Sequence, residues 1–246
     1  MASFLLALQF LTVIPIRVRE AGEKQIASSV IYFPLAGLLL GSFLAALNLL
    51  LTYLDFSYVA LNIILVVALA IITGGMHLDG LSDTADAFLS GKPKEEMLNI
   101  MRDSHAGVMG VLSLVSVLLL KIALLSSMTG QSRIAALIMM CVFSRWSAVL
   151  VMFCFSYARD EGKAGVFMRG MNLKVFILSS VIVVICAALA WQIAALIVLL
   201  IIAGCAYGFG KFATKRIGGI TGDTLGAGIE LTEIITLLSV FILGNI

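Results

Sequence analysis

Long apolar segments alternate with short polar connections along most of this 246-residue chain. The segments that are long enough to cross a bilayer as helices are seven in number, at roughly 30–54, 56–76, 106–126, 133–157, 174–190, 192–209 and 227–245. The apolar residues 1–16 are short for a full crossing and predict an interfacial or re-entrant helix. The pattern therefore predicts an all-α, polytopic membrane helical bundle, with residues 1–246 forming a single domain.

Composition agrees with this interpretation and limits the partners. The chain is 61% hydrophobic and only 12% charged, which excludes an ordinary soluble domain. Its net charge of +2 is too small to indicate a nucleic-acid partner. Transmembrane segments imply contact with membrane lipid, and the composition leaves open whether several copies assemble.

The charged residues predict the orientation of the chain. Most basic residues fall before the first span and after the second, fourth and sixth spans, whereas the opposite connections offer only Arg133. The positive-inside bias places the basic connections in the cytoplasm. Nearly all acidic residues lie on that same side, and Asp55 is the exception. We therefore predict an integral protein of the cytoplasmic (inner) membrane with its active site facing the cytoplasm.

The stretch GGMHLDGLSDTAD, at positions 74–86, interrupts the apolar pattern with three carboxylates. Asp79, Asp83 and Asp86 have i, i+4, i+7 spacing, so a helix would align them on one face. Like charges on one face repel, and hard oxygen ligands at this spacing suit Mg²⁺. We predict these three residues as metal ligands. His77 precedes them as a base, a substrate contact or a hydrogen-bonded bystander.

A second polar stretch, MRDSHAGVMG, leads into the third span at positions 101–110. Arg102 offers a fork for phosphate, Asp103 adds a carboxylate, and Ser104 is a candidate helix cap. A third stretch follows the fourth span, where Arg159 lies near glycines that leave room for an anion. Both stretches are hypotheses for substrate contact, although a charged loop also serves to set orientation.

The last polar stretch, KRIGGITGDTLGAGIELTE at 215–233, places five glycines around Asp223 just before a span. This arrangement resembles a backbone cradle for phosphate at a helix N-terminus. Asp223 and Glu230 would share a helix face, and a buried Glu230 requires a metal or a basic partner.

Two basic residues fall inside predicted spans. Arg145 lies at mid-depth, where it is either a functional residue or the structural partner of a carboxylate. Lys121 lies nearer the outer end of its span and is predicted to snorkel. Transport would require polar residues at mid-depth in several helices, and the sequence indicates only Arg145 there.

Carboxylates with a divalent ion, glycine-rich backbone and arginines together indicate phosphoryl transfer. The stretches GGMHLDGLSDTADAF, MRDSHAGVMG, ARDEGKAG and GGITGDTLGAGIELTE resemble the cobalamin synthase family, the adenosylcobinamide-GDP ribazoletransferases. The resemblance implies a Mg²⁺-dependent membrane enzyme of the last assembly stage of vitamin B12 synthesis. In that reaction the 3′-hydroxyl of α-ribazole, or of its 5′-phosphate, attacks the cobinamide-linked phosphorus of adenosylcobinamide-GDP, and GMP leaves.

The resemblance assigns roles to residues of this chain. The implied catalytic residues are His77, Asp83 and Asp103. The implied substrate contacts are Arg102, Ser104, His105, Arg159, Gly219 and Gly222, and Arg145 is added as a substrate contact because of its position inside a span. The implied ligands of Mg²⁺ are Asp79, Asp83, Asp86, Asp223 and Glu230. At position 105 we expect a more basic residue, so the phosphate contact assigned to His105 departs from the family pattern.

Two other functions stay open. A CDP-alcohol phosphotransferase of lipid synthesis also uses Asp residues and a metal to release a nucleoside monophosphate. Its pattern requires an Asp at the place of Met76, and an Ala-Arg pair that is absent here. A secondary transporter is the non-enzymatic alternative, and it requires inverted repeats that the sequence does not display.

Overall fold

The computed structural model of the protein describes residues 2–16, 18, 22–159 and 162–243. Within these residues the chain is helical, apart from loops and one isolated β-bridge. The helices are α1 (Ala2–Leu11), α2 (Glu23–Ser29), α3 (Phe33–Tyr53), α4 (Tyr58–Ile72), α5 (Met76–Leu89), α6 (Lys94–Ile100), α7 (Val108–Ser126), α8 (Gly130–Cys154), α9 (Lys163–Arg169), α10 (Leu173–Ile217) and α11 (Gly222–Leu243). The predicted all-α membrane bundle is confirmed.

The helices follow the predicted spans closely. Within the described residues, six helical segments are long and apolar enough to cross a membrane, and α4 with α5 would make a seventh. The axes of α4 and α5 differ by 89°, so α5 turns away from the direction of the spans. Glycines with positive φ, Gly74 and Gly75, form this corner. The carboxylates of α5 therefore lie beyond this bend, on a helix nearly perpendicular to α4.

Helix α10 contains both the fifth and the sixth predicted spans. Its 45 residues would extend roughly 68 Å if straight, about twice the thickness of a bilayer core. The ring of Phe176 stacks on Phe153 at 4.5 Å, and the ring of Tyr207 lies 5.3 Å from Phe155. Because both halves of α10 meet the C-terminal end of α8, the helix folds back and crosses twice, as predicted.

Helix α8 is the centre of the bundle and packs against α3, α10 and α11. Nearly every residue between Met139 and Val149 is buried, including Phe143 at 1% exposure. Polar side chains also pack here, since Thr232 of α11 donates to Ser147 of α8 at 3.0 Å. Burial on all sides explains why the sequence of α8 has no strongly polar face.

Four charged residues from three helices meet inside the bundle, and we call them the buried ion network: Lys121, Arg145, Glu230 and Glu233. Lys121 Nζ lies 2.6 Å from Glu230 Oε2 and 2.5 Å from Glu233 Oε2. Arg145 Nη1 bonds Glu233 Oε1. The prediction that Lys121 snorkels is wrong, because its side chain turns inward to two carboxylates and is only 2% exposed.

The buried ion network also provides the partners of two residues that were predicted to belong to the site. Glu230 was a candidate metal ligand, but its partner is the Lys121 ammonium, deep in the bundle. Arg145 was a candidate substrate contact, but it pairs with Glu233 and is fully buried. In both cases the opposite charge of a neighbouring helix provides the partner that burial requires. The expectation that Arg145 alone occupies mid-depth is wrong as well.

A second buried polar cluster lies near the N-terminal end of α8. Arg133 is 3% exposed and lies inside α8 rather than in a connection. Its guanidinium donates to Asn48 at 2.7 Å, to the carbonyl of Leu125 at 2.6 Å and to Asn62. These contacts join α3, α4 and α7 to α8. The one basic residue predicted for that face therefore fixes helices together.

Candidate active site

Helix α5 lies across the N-terminal ends of α7 and α11, where the charged connections gather. The approach to α11 is close because position 80 is a glycine. A Cβ at Gly80 would lie 2.7 Å from the Asp223 carbonyl oxygen, closer than any carbon of a side chain can sit. The absence of a side chain at Gly80 thus lets α5 carry its carboxylates to the first turn of α11.

The crossing brings together Asp79, Asp83 and Asp223, which we call the carboxylate cluster. Asp79 is exposed, whereas Asp83 and Asp223 are partly buried. Partial burial, and then the negative charges of Asp79, Asp223 and Asp86, raise the pKa of Asp83 to about 7. The guanidinium of Arg159 opposes this shift. The predicted convergence of acids from α5 and α11 is thus present.

Arg159 reaches the cluster through a short pairing of two loops. Ala158 donates its N–H to the carbonyl of Ile220 at 2.8 Å, and Ile220 donates to Ser156 at 2.9 Å. This pairing holds Arg159 Nη2 at 2.9 Å from Asp223 Oδ2. Both residues are substantially buried, with side-chain exposures of 13% and 22%. The predicted anion-binding Arg159 therefore stands beside the predicted metal ligand Asp223.

The predicted substrate residues Gly219 and Gly222 have different surroundings. Gly219 is buried in the loop pairing, where a Cβ would lie 2.5 Å from the carbonyl oxygen of Ser156. The absence of a side chain at Gly219 therefore lets the two loops pair closely. Gly222 starts α11 and lines the cavity described below.

Asp86, predicted as a third metal ligand, points to a different partner. Its Oδ2 accepts the N–H of Gly107 at 2.7 Å, and its Oδ1 accepts the N–H of Gly110 at 2.8 Å. These amides belong to the first turn of α7, so the Asp86 carboxylate caps that helix. Asp86 contributes to the electrostatics of Asp83, but both of its oxygens bond to backbone.

The loop between α6 and α7 carries four predicted site residues. Arg102, Asp103, Ser104 and His105 are all exposed. His105 Nδ1 donates to Asp103 Oδ1 at 2.6 Å, and this hydrogen bond lowers the pKa of Asp103 and raises the pKa of His105. The loop lies next to the α7 cap formed by Asp86. The structure thus places these residues at the rim of the site, in contact with water.

A cavity of about 300 Å³ opens beside the carboxylate cluster. Asp79, Asp223 and Arg159 lie at its polar mouth, with Tyr157 and His77 also in its wall. Its deeper walls are apolar, and they come from α1, the start of α3, the end of α8, α9 and α11. The predicted interfacial helix α1 thus forms one wall of the site.

Sequence reasoning missed most of this wall. Phe10, Phe33 and Phe167 line the cavity, yet each lies in an apolar run that gives no signal of function. Tyr157 lies two positions before Arg159, and only the loop pairing reveals its place. His77 was predicted, and it lies in the cavity wall at 3% exposure.

The donor atoms of the carboxylate cluster determine whether it suits a divalent ion. No three His, Cys, Asp or Glu side chains of the described residues converge closely enough to enclose an ion. The cluster nevertheless offers carboxylate oxygens from two helices, and burial, followed by the neighbouring negative charges, raises the pKa of Asp83. Hard oxygen donors on an accessible face are the chemistry that Mg²⁺ requires. The donor types are those that magnesium prefers, but the described side chains alone do not enclose an ion, so the magnesium site stays a prediction.

The fold and the site define a polytopic membrane protein with an acidic, arginine-flanked cavity at one end of its helical bundle. The family model described as Cobalamin-5-phosphate synthase matches residues 3–241. This chain belongs to that family.

Several relatives carry the name adenosylcobinamide-GDP ribazoletransferase. The protein from Desulforamulus reducens is 37% identical over 232 residues, covering 94% of this chain and 93% of the relative. The protein from Klebsiella pneumoniae strain 342 is 37% identical, with 96% and 98% covered. The protein from Clostridioides difficile strain 630 is 34% identical, with 99% and 98% covered. No solved structure matches this chain.

Proposed function

We propose that this protein transfers the cobinamide phosphate of adenosylcobinamide-GDP to the 3′-hydroxyl of α-ribazole or α-ribazole 5′-phosphate. The new bond joins the hydroxyl oxygen to the cobinamide-linked phosphorus, the diphosphate bond breaks, and GMP leaves. The hydroxyl proton passes to a base of the protein, and adenosylcobalamin or its 5′-phosphate is the product. The convergence of Asp79, Asp83, Asp223 and Arg159 beside a cavity is the observation that carries this proposal.

Each residue of the site supports one part of this reaction. Asp79, Asp83 and Asp223 would hold Mg²⁺, which when bound neutralises charge on the diphosphate. Arg159 presents a guanidinium that can bind phosphate oxygens while it remains paired with Asp223. A carboxylate of the site that does not hold the ion would accept the hydroxyl proton.

The site also supports an orientation for the protein. The loops at its end of the bundle carry most of the basic residues, and the positive-inside bias supports a site that faces the cytoplasm. A variant lacking the native cysteines, with Ser104→Cys, should react with an impermeant maleimide only after the cells are opened. Asp55→Cys, at the opposite end, should react in intact cells. The reverse labelling would contradict a cytoplasmic site.

The decisive experiment uses the purified full chain in detergent with adenosylcobinamide-GDP, α-ribazole 5′-phosphate and Mg²⁺. We expect GMP release that requires both substrates and stops when the ion is chelated. A parallel reaction with a CDP-activated lipid and an alcohol should release no CMP. CMP release without GMP release would support the lipid-synthesis alternative and contradict the proposal. If GMP release is unchanged after divalent ions are removed completely, only the proposed role of magnesium is contradicted and the proposed transfer reaction stands.

A further inference from the structure

The cavity beside the carboxylate cluster has two chemically different ends. Its mouth is polar and holds Asp79, Asp223 and Arg159. Its floor is apolar, with Leu11 and Phe33 at 1% exposure. A ligand that fits this cavity must be polar at one end and apolar at the other.

Three aromatic rings from distant parts of the chain form the wall of this cavity. The ring centroid of Phe10 lies 4.1 Å from that of Phe167 and 5.8 Å from that of Phe33. Phe33 and Phe167 lie 6.0 Å apart. The rings come from α1, α3 and α9, so tertiary packing alone assembles them. Clustered aromatic rings are the surface on which a flat heteroaromatic base stacks.

His77 adds a polar group to this apolar surrounding. Its side chain is 3% exposed, and Nε2 has no hydrogen-bond partner within the described residues. A neutral imidazole carries one N–H donor and one acceptor, and burying either without a partner is costly. His77 is among the residues that line the cavity. A ligand atom in the cavity would satisfy Nε2.

We propose that this cavity binds the base of the acceptor nucleoside against the wall formed by Phe10, Phe33 and Phe167, with His77 Nε2 donating a hydrogen bond to the free ring nitrogen of the base. The assignment rests on the proposed function, which requires a nucleoside hydroxyl at the carboxylate cluster. From Asp223 to Ile229, helix α11 extends roughly 9 Å along the cavity wall. This length suits a nucleoside whose base lies toward Ile229 and whose ribose lies toward Asp223.

The size of the cavity decides between the two substrates. A volume of about 300 Å³ lies at the small end of ligand pockets. It accommodates a nucleoside but not a corrin macrocycle with its nucleotide. The corrinoid therefore approaches the carboxylate cluster from the exposed side of α5, where Asp79 faces water. The two substrates then meet at the cluster from opposite sides.

Binding of α-ribazole to the full chain in detergent, measured by equilibrium dialysis without corrinoid, tests the aromatic wall. We expect Phe167→Ala to weaken α-ribazole binding about tenfold or more while the affinity for adenosylcobinamide-GDP changes less than about twofold. Ala164→Leu, which fills the same cavity with a larger side chain, should do the same. The control is Phe153→Ala, since Phe153 stacks on Phe176 outside the cavity. The proposal is overturned if donor binding weakens and acceptor binding does not.

A change of ligand tests His77. Indole riboside has nearly the shape of benzimidazole riboside but lacks the free ring nitrogen. The wild-type protein should bind the benzimidazole riboside about tenfold more tightly, and His77→Leu should remove this preference. His77→Gln, which keeps an N–H donor, should restore part of it. Equal preference in wild type and His77→Leu would overturn the role of His77.

These binding results separate this inference from the proposed function. If the wild-type protein releases GMP but cavity variants bind α-ribazole normally, the inference alone fails. If the wild-type protein releases no GMP from adenosylcobinamide-GDP, the proposed function itself fails.

Discussion

Helix α11 carries acidic residues into two surroundings that differ in how their charge is balanced. Glu230 and Glu233 belong to the buried ion network, where two carboxylates face two cations, Lys121 and Arg145. Two turns earlier, Asp223 joins Asp79 and Asp83 in the carboxylate cluster. There three acids share a single arginine of the described residues, Arg159.

This difference in charge balance distinguishes the buried ion network, which stabilises the fold, from the carboxylate cluster, which can take part in chemistry. A charge-balanced, solvent-excluded network holds α7, α8 and α11 in register, although Nε and Nη2 of Arg145 have no hydrogen-bond partner among the described residues. An acidic cluster at the mouth of a cavity has a surplus of negative charge, which favours a cation and resists burial. The same residue types therefore have opposite consequences when they are neutralised by mutation, and this provides a direct test.

The largest effect should come from Asp83→Asn in the carboxylate cluster. The substitution removes a proposed ligand of Mg²⁺, so it should reduce GMP release on the order of a thousandfold, since metal stabilisation is worth several kcal/mol. The exposed Asp55, at the opposite end of the bundle, provides the control Asp55→Asn, which should keep full activity. Activity of Asp83→Asn near the wild-type level would remove Asp83 from the site.

The same variant should change stability in the opposite direction. Folding raises the pKa of Asp83 from its ordinary value of 3.8 to about 7. Between these two pH values the folded state therefore binds more protons than the unfolded state. Stability of the metal-free protein therefore falls as pH rises through this window. Asp83→Asn should unfold at a higher temperature than wild type at pH 8 and lose this advantage near pH 4. Thermal unfolding in detergent with a chelator measures both.

In the buried ion network, the same carboxylate-to-amide change should destabilise. Glu233→Gln leaves Lys121 and Arg145 with less negative charge than they need, and it should cost about 3–5 kcal/mol. Replacing both Lys121 and Glu230 by Met removes one charge of each sign and should cost much less. Denaturant unfolding in detergent compares the two. If Glu233→Gln is as stable as wild type, the network is not the structural element that its pairing indicates.

Asp86 is a carboxylate of the site whose oxygens bond to backbone, and it provides a smaller, intermediate effect. Asp86→Ala should destabilise the protein by about 1–2 kcal/mol because α7 loses its charged cap. Asp86→Asn, which keeps one acceptor oxygen, should lose less. If Asp86 is instead a metal ligand, both variants should abolish GMP release at unchanged stability. Unfolding and turnover measured side by side distinguish these outcomes.

The sequence predicted these elements unevenly, for physical reasons. Apolar runs are read along one dimension, so the spans, including both halves of α10, were predicted closely. Helical spacing likewise aligned Asp79 and Asp83 correctly. What each acid meets is decided by neighbouring helices, which is why Glu230 and Asp86 have other partners than the predicted metal. The aromatic wall gave no signal, because phenylalanines in an apolar chain look like any other buried residue.

The smallest effect should come from charges that lie wholly in water. His105 and Asp103 form an exposed pair with side-chain exposures of 88% and 59%. Exposed pairs contribute little to stability, so His105→Ala should leave unfolding almost unchanged. If the loop contacts phosphate, His105→Ala should raise the KM for adenosylcobinamide-GDP a few-fold at pH values below the pKa of His105, where the wild-type imidazole is charged. At higher pH the wild-type imidazole is neutral as well, so the substitution should change the KM little. A pH series of KM in wild type and His105→Ala measures this. Equal values at every pH would leave the carboxylate cluster and Arg159 as the parts of the site that bind the donor.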